Sequence, residues 1–218
     1  MIQAIIFDYD GVIVDSFPDL YEIYKVICKE LNKKMPGTIK EFGRFYGYTF
    51  EEAYTNLGII NPEERKKAEL IFKEDIAKTK PPIFKTIPEV LDQLSKKYKI
   101  FLLSSNYKEE VKKKIGSFGL IGYFSDIIGK EKSEPTHFDK SKEITKLIKK
   151  HNLDETKVVM IGDRNVDYDE AQRAGINIIL VEYGWGYEKE KLDGYNIRTL
   201  VNKPLDILKA LKEIEDSL

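Results

Sequence analysis

The chain has 218 residues, of which 36 are basic and 37 acidic, for a formal net charge of −1. This length suffices for one large core and a small second module, but not for two domains of average size. The balanced charge argues against a nucleic-acid partner, and no apolar run is long enough to span a membrane. The single cysteine, Cys28, excludes an internal disulfide, so we expect a cytoplasmic protein.

The first predicted element is an apolar strand that runs into two carboxylates. Residues 4–7 are apolar on both faces, which is typical of a central parallel strand. Asp8 and Asp10 follow at its C-terminal end, where α/β proteins place their ligand sites. Alone, this pattern is also typical of a strand that simply ends in an Asp-Gly turn.

The next segment predicts a helical insertion. Helical periodicity runs from about Pro18 to Lys33, a capping box opens a helix from Thr49 to about Leu57, and another helix begins at Asn61 and runs to about Lys78. No strand pattern interrupts this segment. We therefore expect a helical domain inserted into an α/β core, with the boundaries 16–82 for the helical domain and 1–15 with 83–218 for the core.

Strand and helix patterns alternate through the rest of the chain. Helices are predicted over 88–97, 108–118, 140–151, 167–174 and 203–216, and strands over 99–104, 126–129, 157–162 and 177–182. This alternation predicts a doubly wound parallel sheet of the α/β class.

Two of these later strands also end in polar side chains. Ser104 and Ser105 follow one apolar run, and Asp163 follows another, with Asp167 four residues further on. Because the carboxyl ends of parallel strands meet at one edge of a sheet, we expect these side chains near Asp8. The lysine-rich stretch between the two strands can bring a cation to the same edge, from Lys130, Lys132, Lys140 or Lys142.

Taken in order, Asp-x-Asp-Gly, then Ser, then Lys, then Gly-Asp-x-x-x-Asp resemble the four signature motifs of the haloacid dehalogenase-like superfamily of phosphohydrolases. The resemblance spans about residues 4–182, and it departs from the usual pattern because the third motif lacks its common Lys-Pro pair. It implies a Rossmann-like core with a helical cap inserted after the first motif. The spacing of Lys140 to Asp163 matches members that lack this pair, so Lys140 is the preferred lysine.

The resemblance also implies a role for each motif residue. Asp8 is then the nucleophile and a metal ligand, and Asp10 is the general acid and base, with its backbone carbonyl as a further ligand. The remaining expected roles are metal binding by Asp163, support of the metal site by Asp167, and phosphate binding by Ser104, Ser105 and Lys140. Mg²⁺ is the expected cofactor, because it suits one or two carboxylates together with a substrate phosphate. An aspartate can accept a phosphoryl group covalently, and the second carboxyl group can protonate the leaving alkoxide.

These features predict a Mg²⁺-dependent phosphatase that acts on a small phosphomonoester, phosphoglycolate-like or a sugar phosphate, as a monomer or homodimer. We expect the helical cap to close over the crevice and to contact the substrate through Arg44 and Tyr48. The loop around Trp185 also follows a core strand, but an aromatic side chain that covers the sheet edge explains it equally well.

Three alternatives to the phosphatase remain. A phosphosugar mutase shares the nucleophile but returns the phosphoryl group to its product, and Arg44 keeps this alternative open. A phospho-accepting signalling module is disfavoured by the helical insertion and by Asp10, because such modules need no acid for a leaving group. A binding protein without activity is the third.

Overall fold

The computed structural model of the chain describes residues 1–46, 50–131, 138–184 and 199–217. The chain divides into two compact units. The first joins Met1–Asp15 to Ile83–Leu218, and the second is Ser16–Pro82. The second unit is thus inserted in sequence between the two parts of the first.

Six strands form one parallel sheet in the described part of the first unit: β1 (Ala4–Asp8), β2 (Lys99–Tyr107), β3 (Asp126–Lys130), β4 (Val158–Gly162), β5 (Asn177–Val181) and β6 (Leu200–Val201). Their order across the sheet is β3-β2-β1-β4-β5-β6, and every neighbouring pair is parallel. The order reverses between β1 and β4, which is where open α/β sheets bind their ligands. This topology confirms the predicted doubly wound sheet.

The helices of the described residues are α1 (Phe17–Glu30), α2 (Ile39–Tyr46), α3 (Phe50–Asn56), α4 (Pro62–Ile76), α5 (Ile87–Ser95), α6 (Lys108–Ser117), α7 (Lys140–His151), α8 (Asn165–Arg173) and α9 (Asp206–Ser217). The first four make up the second unit, and the other five belong to the first. In the described ranges, no helix is both long enough and apolar enough to cross a membrane.

The two faces of the sheet are covered by different helices. On one face, Ile5 and Phe7 of β1 belong to an apolar cluster with residues of α5, α6 and α9. On the other face, Ala4 and Ile6 cluster with residues of α7 and α8. Because successive side chains of a strand point to opposite faces, an uninterrupted apolar run is needed to bury both.

The register of the strands places the polar residues at or after their carboxyl ends at the same edge of the sheet. Asp8 at the end of β1 lies opposite Leu103 of β2, and Phe7 lies opposite Ile161 of β4. Ser104 and Asp163, which follow these partners in sequence, therefore leave the sheet at the same edge as Asp8.

The second unit has an aromatic core. The ring of Tyr24, on α1, lies 5.2 Å from the ring of Phe42, 5.8 Å from Tyr54 and 6.3 Å from Phe72, measured between ring centroids. These rings come from four different helices, so one aromatic cluster joins α1 to α2, α3 and α4.

Helix α2 was not predicted. It is only eight residues long and contains Gly43, which weakens the helical pattern. Its start does carry a signal, because the backbone N–H of Thr38 donates to Glu41 and the N–H of Glu41 donates to the Thr38 hydroxyl. This reciprocal capping box, Thr-x-x-Glu, identifies the helix start in the sequence.

Several predicted boundaries were wrong. Helix α1 ends at Glu30 rather than at Lys33, because Asn32 adopts a left-handed conformation with φ of 52° and the N–H of Lys33 turns back to the Cys28 carbonyl. Helix α9 begins at Asp206 rather than at residue 203, after a turn in which the Asp206 N–H donates to the Lys203 carbonyl.

Two other boundaries differ at the ends of core strands. Strand β2 continues to Tyr107 instead of ending at residue 104, and helix α8 begins at Asn165 instead of 167. The short strand β6 was missed, because two residues carry too little pattern to identify a strand. The Thr49 capping residue lies outside the described residues.

Candidate active site

The first part of the site is a tight turn after β1. The backbone N–H of Tyr9 donates to Oδ1 of Asp8 at 2.7 Å, and the Tyr9 carbonyl accepts hydrogen bonds from Ile13 and Val14. Gly11 within this turn has φ of 76°, a conformation that glycine adopts without strain. The turn buries Asp8 and leaves Asp10 partly exposed at the edge of the sheet.

Two glycines allow the chain to pack closely around Asp163. A Cβ atom on Gly11 would overlap the Asp163 carboxylate, and one on Gly184 would overlap both Asp163 and the Gly11 carbonyl. The turn after β1, the end of β4 and the segment after β5 therefore meet at this aspartate.

Three buried carboxylates lie together at this edge. Asp8, Asp163 and Asp167 each offer a ligand oxygen, and these atoms all lie within 4.8 Å of one another. The Nζ atom of Lys140 lies 2.8 Å from Oδ2 of Asp8 and 2.7 Å from Oδ1 of Asp167. Lys140 is the first residue of α7 and is itself buried, so it links β1 to α8 through a buried ion pair.

The surroundings of the site raise the pKa values of both Asp8 and Lys140, for different reasons. Burial raises the pKa of Asp8 well above its ordinary value; Lys140 opposes this shift, and Asp167 and Asp163 add to it. Burial alone would lower the pKa of Lys140, but Asp167, Asp8 and Glu170 raise it. Lys140 therefore stays protonated, while the repulsion among the carboxylates is only partly balanced.

This charge balance fits a divalent cation. Three carboxylates and one ammonium group leave two uncompensated negative charges when all are ionised. Asp167 already engages both oxygens, since Oδ1 accepts from Lys140 and Oδ2 accepts from the backbone N–H of Arg164 at 3.1 Å. Asp8 likewise accepts at both oxygens, from the Tyr9 N–H and from Lys140, so these hydrogen bonds do not separate it from Asp167. All three carboxylates offer an oxygen ligand of the kind that a hard cation prefers.

Ser104 lies next to this cluster, because it follows Leu103, the β2 residue opposite Asp8. It is fully buried, and its hydroxyl oxygen accepts the backbone N–H of Asn106 at 3.1 Å. Ser105, the next residue, is half-buried. The ladder between β2 and β3 is irregular from Leu103 to Tyr107, so these residues bulge out of the strand.

Among the described candidate lysines, Lys140 reaches the carboxylates. Lys130 lies over the ring of Tyr107, 5.8 Å from its centroid. Lys142 is exposed and lies 3.4 Å from Asp139. The sequence analysis prefers Lys140 for its spacing to Asp163, and the contacts of the three side chains separate it from Lys130 and Lys142.

Two further polar side chains of the site were missed by the sequence analysis. The side-chain Nδ2 atom of Asn106 donates to Oδ2 of Asp10 at 2.7 Å. Glu170 is buried, and its Oε1 accepts the backbone N–H of Lys140 at 3.3 Å. Burial raises the pKa of Glu170 to about 7, against the opposing effect of Lys140. Asn106 directly follows the two serines and Glu170 lies three residues after Asp167, so proximity to a motif was the available signal.

The predicted cap residues are only partly described. Arg44 lies in the last turn of α2, where its side chain is exposed and pairs with no carboxylate of the described residues. Tyr48, Lys132 and Trp185 lie outside the described residues.

Comparison with known proteins identifies a family. The sequence model of the haloacid dehalogenase-like hydrolases matches residues 5–181. A phosphoglycolate phosphatase from Aquifex aeolicus is 26% identical over 96% of each chain, and one from Mesorhizobium japonicum is 24% identical over 83% of each.

Solved structures show the same fold. A haloacid dehalogenase-like family hydrolase from Streptococcus pneumoniae has a TM-score of 0.82 at 24% identity, covering 95% of this chain and 97% of its own. A subfamily IA hydrolase of the same superfamily from Geobacter sulfurreducens has a TM-score of 0.67 at 18% identity, covering 96% of each chain.

Proposed function

Because the chain belongs to the haloacid dehalogenase-like hydrolase family and is a phosphoric monoester hydrolase, we propose that Asp8 is its nucleophile and that it acts on small-molecule phosphomonoesters. The observation that carries this proposal is the buried cluster in which Lys140 bridges Asp8 and Asp167 next to Asp163. A buried carboxylate with a fixed ammonium partner beside it has little structural purpose in a core strand, since burying charges is costly.

The proposed reaction has two displacements at phosphorus. In the first, an Asp8 carboxylate oxygen forms a bond to phosphorus while the ester bond to the leaving oxygen breaks, and Asp10 donates its proton to that oxygen. In the second, Asp10 takes a proton from water as the water oxygen attacks the aspartyl phosphate. The bond from phosphorus to Asp8 then breaks, and inorganic phosphate and free Asp8 result.

A metal ion and the remaining residues stabilise the negative charges of this reaction. We assign a Mg²⁺ ion to Asp8, Asp163 and the backbone carbonyl of Asp10; when bound, it supplies positive charge that offsets the repulsion between Asp8 and the substrate phosphate. Lys140 supplies a second positive charge. Ser104 and the backbone N–H groups after it, including that of Ser105, bind phosphoryl oxygens. Asp167 holds Lys140 and the start of α8.

The curated relatives and the helical unit support the proposed substrate class. The two relatives named above are phosphoglycolate phosphatases, which supports a small anionic phosphate ester as the substrate. We assign substrate selection to the helical unit Ser16–Pro82, with Arg44 and Tyr48 as contributing residues. An arginine recognises a carboxylate or a second phosphate through its planar guanidinium.

The experiment is a phosphate-release assay over a panel of metabolite phosphomonoesters with Mg²⁺. We expect hydrolysis of small anionic esters by the wild-type enzyme and none by Asp8→Asn, and a phosphoryl group on Asp8 in a rapidly quenched reaction by mass spectrometry. If the wild-type enzyme released no more phosphate from any ester than Asp8→Asn does, the proposal would be contradicted. Conversion of a sugar phosphate to its isomer, without phosphate release, would favour the mutase alternative.

A further inference from the structure

The side chain of Asn106 makes a short contact with Asp10 that no signature motif accounts for. Its Nδ2 atom lies 2.7 Å from Oδ2 of Asp10, and both residues are half-buried. We propose that Asn106 is a positioning residue that holds the Asp10 carboxyl group where it can exchange a proton with the leaving oxygen. This inference rests on the proposed function, in which Asp10 is the general acid and base.

The chemistry of the two groups decides which atom of the Asn106 amide contacts Asp10. An ionised carboxylate only accepts hydrogen bonds, so the amide presents its Nδ2 atom and not its carbonyl oxygen. A hydrogen bond to a charged acceptor at 2.7 Å is among the strong ones. Since Asp10 is on a turn and not within a strand, its side chain has rotamers that this bond restricts.

Asn106 is itself held firmly by the bulge at the end of β2. Its backbone N–H donates to the hydroxyl oxygen of Ser104 at 3.1 Å. On the neighbouring strand, Gly129 allows close packing, because a Cβ atom there would lie 2.8 Å from the Asn106 carbonyl oxygen. A bulge of this kind redirects a side chain out of the ladder. Asn106 therefore fixes the position of the Asp10 side chain relative to β2.

One residue thus links the phosphate-binding end of β2 to the proton-transfer group after β1. If Asn106 only stabilised the contact between the two strand ends, its replacement would lower kcat equally for all substrates. A positioning role predicts a loss that depends on the leaving group, because an alkoxide needs a proton to depart and an aryl oxide needs little.

The first test compares Asn106→Ala with the wild-type enzyme on an alkyl phosphate and on an aryl phosphate. We expect kcat for the alkyl ester to fall about tenfold to a hundredfold, as for a misplaced catalytic group, and kcat for the aryl ester to change by less than about threefold. Asn106→Asp keeps the shape and the backbone N–H but, when ionised, has no donor for Asp10, so it should not restore activity. Equal losses on both esters, no loss, or full activity in Asn106→Asp would overturn the inference.

Asn177→Ala is the matched control. Asn177 also donates through Nδ2, to the Thr156 carbonyl at 3.1 Å, but at the opposite end of the sheet. Its loss should leave the ratio of alkyl to aryl hydrolysis unchanged.

The second test removes Asn106 from an enzyme that already lacks the acid. In the Asp10→Asn background, we expect Asn106→Ala to change kcat for the alkyl ester by less than about twofold, because residues that act through one another are not additive. A full additional loss in this background would overturn the positioning role. A wild-type enzyme inactive on both esters would overturn the proposed function and this inference together, whereas an active enzyme with additive losses overturns only the role of Asn106.

Discussion

The Nζ atom of Lys140 lies 2.8 Å from Oδ2 of Asp8, and both side chains are buried. The two residues are 132 positions apart in the chain, so the contact exists only because α7 begins at the carboxyl edge of the sheet. The same ammonium group also binds Asp167. An ion pair removed from water in this way holds its members in one geometry, which suits a site that must place charge next to a phosphoryl group.

Replacement of the proposed nucleophile is the first prediction. Asp8→Asn keeps the shape of the side chain but removes its negative charge, so we expect kcat to fall by about four orders of magnitude or more. The free energy of unfolding in the absence of metal should not fall, because the variant removes a buried carboxylate whose pKa is raised by burial. Assays of phosphate release and urea unfolding measure the two effects.

The control for this variant is Asp92→Asn, which removes a carboxylate on α5 that is half-exposed and paired with Lys96. This substitution should leave kcat unchanged. Retention of wild-type hydrolysis by Asp8→Asn on any ester would contradict the covalent mechanism.

The residues predicted well from sequence are those whose signal is local. Asp8 and Asp163 each follow an uninterrupted apolar run, and the carboxyl ends of parallel strands share one edge, so pattern and topology suffice to expect them together. The doubly wound sheet follows from the same alternation of strands and helices.

The features that were missed depend on contacts distant in sequence or on weak local signals. Lys140 was preferred only for the spacing that the family resemblance implies, because Lys130 and Lys142 carry the same side chain and the position of α7 is what brings Lys140 to Asp8. Glu170 lies 30 residues from the backbone N–H group that it binds. The direction of the Asn106 side chain depends on a bulge whose register shift has no sequence pattern.

Removal of divalent metal is the second prediction. Activity should disappear in chelator and return with Mg²⁺, and Ca²⁺ should restore it poorly because it accepts looser coordination with more ligands. Mg²⁺ should also raise the Tm of the wild-type enzyme, because a ligand that binds the folded state stabilises it. Asp163→Asn should lose this rise in Tm. Full activity in chelator would contradict the metal assignment.

The third prediction concerns the proton donor. Asp10→Asn should lower kcat by about a hundredfold or more for alkyl phosphates and by much less for aryl phosphates, because only the poor leaving groups need protonation. A series of esters with graded leaving-group pKa values measures this as a steeper dependence of log kcat on that pKa. Parallel dependences in the variant and the wild-type enzyme would argue against the role of Asp10.

The fourth prediction tests the helical unit. Arg44 is exposed and pairs with no carboxylate of the described residues, so its charge is available for a ligand. Arg44→Ala should raise KM about tenfold for a metabolite ester that carries a carboxylate or second phosphate, as expected for loss of a charge-assisted hydrogen bond. The KM for an aryl phosphate with no charged group besides its phosphate should stay unchanged. Lys40→Ala, on the same helix, is the control and should change neither. Unchanged kinetics in Arg44→Ala would assign Arg44 to the solvent-exposed surface.

The last prediction is a pH dependence of stability that originates at Glu170. Burial raises the pKa of this carboxyl group from an ordinary value of 4.5 to about 7. Between these pH values the unfolded chain releases the proton while the folded protein keeps it, so this residue makes the folded state progressively less stable as pH rises. Below pH 4.5 both states are protonated, and above pH 7 the loss is complete.

Glu170→Gln keeps the acceptor for the Lys140 N–H without the charge, so the variant should gain stability over the wild-type protein across this window. The gain should be on the order of a few kcal/mol at most, since one pKa unit corresponds to about 1.4 kcal/mol. Urea unfolding in chelator at several pH values measures it, because bound metal adds its own pH dependence. Glu109→Gln, which removes an exposed carboxylate in the first turn of α6, is the control and should keep the wild-type pH dependence. If the free energy of unfolding of Glu170→Gln varied with pH in parallel with that of the wild-type protein from pH 4.5 to 7, Glu170 would be ionised throughout this range in the folded protein.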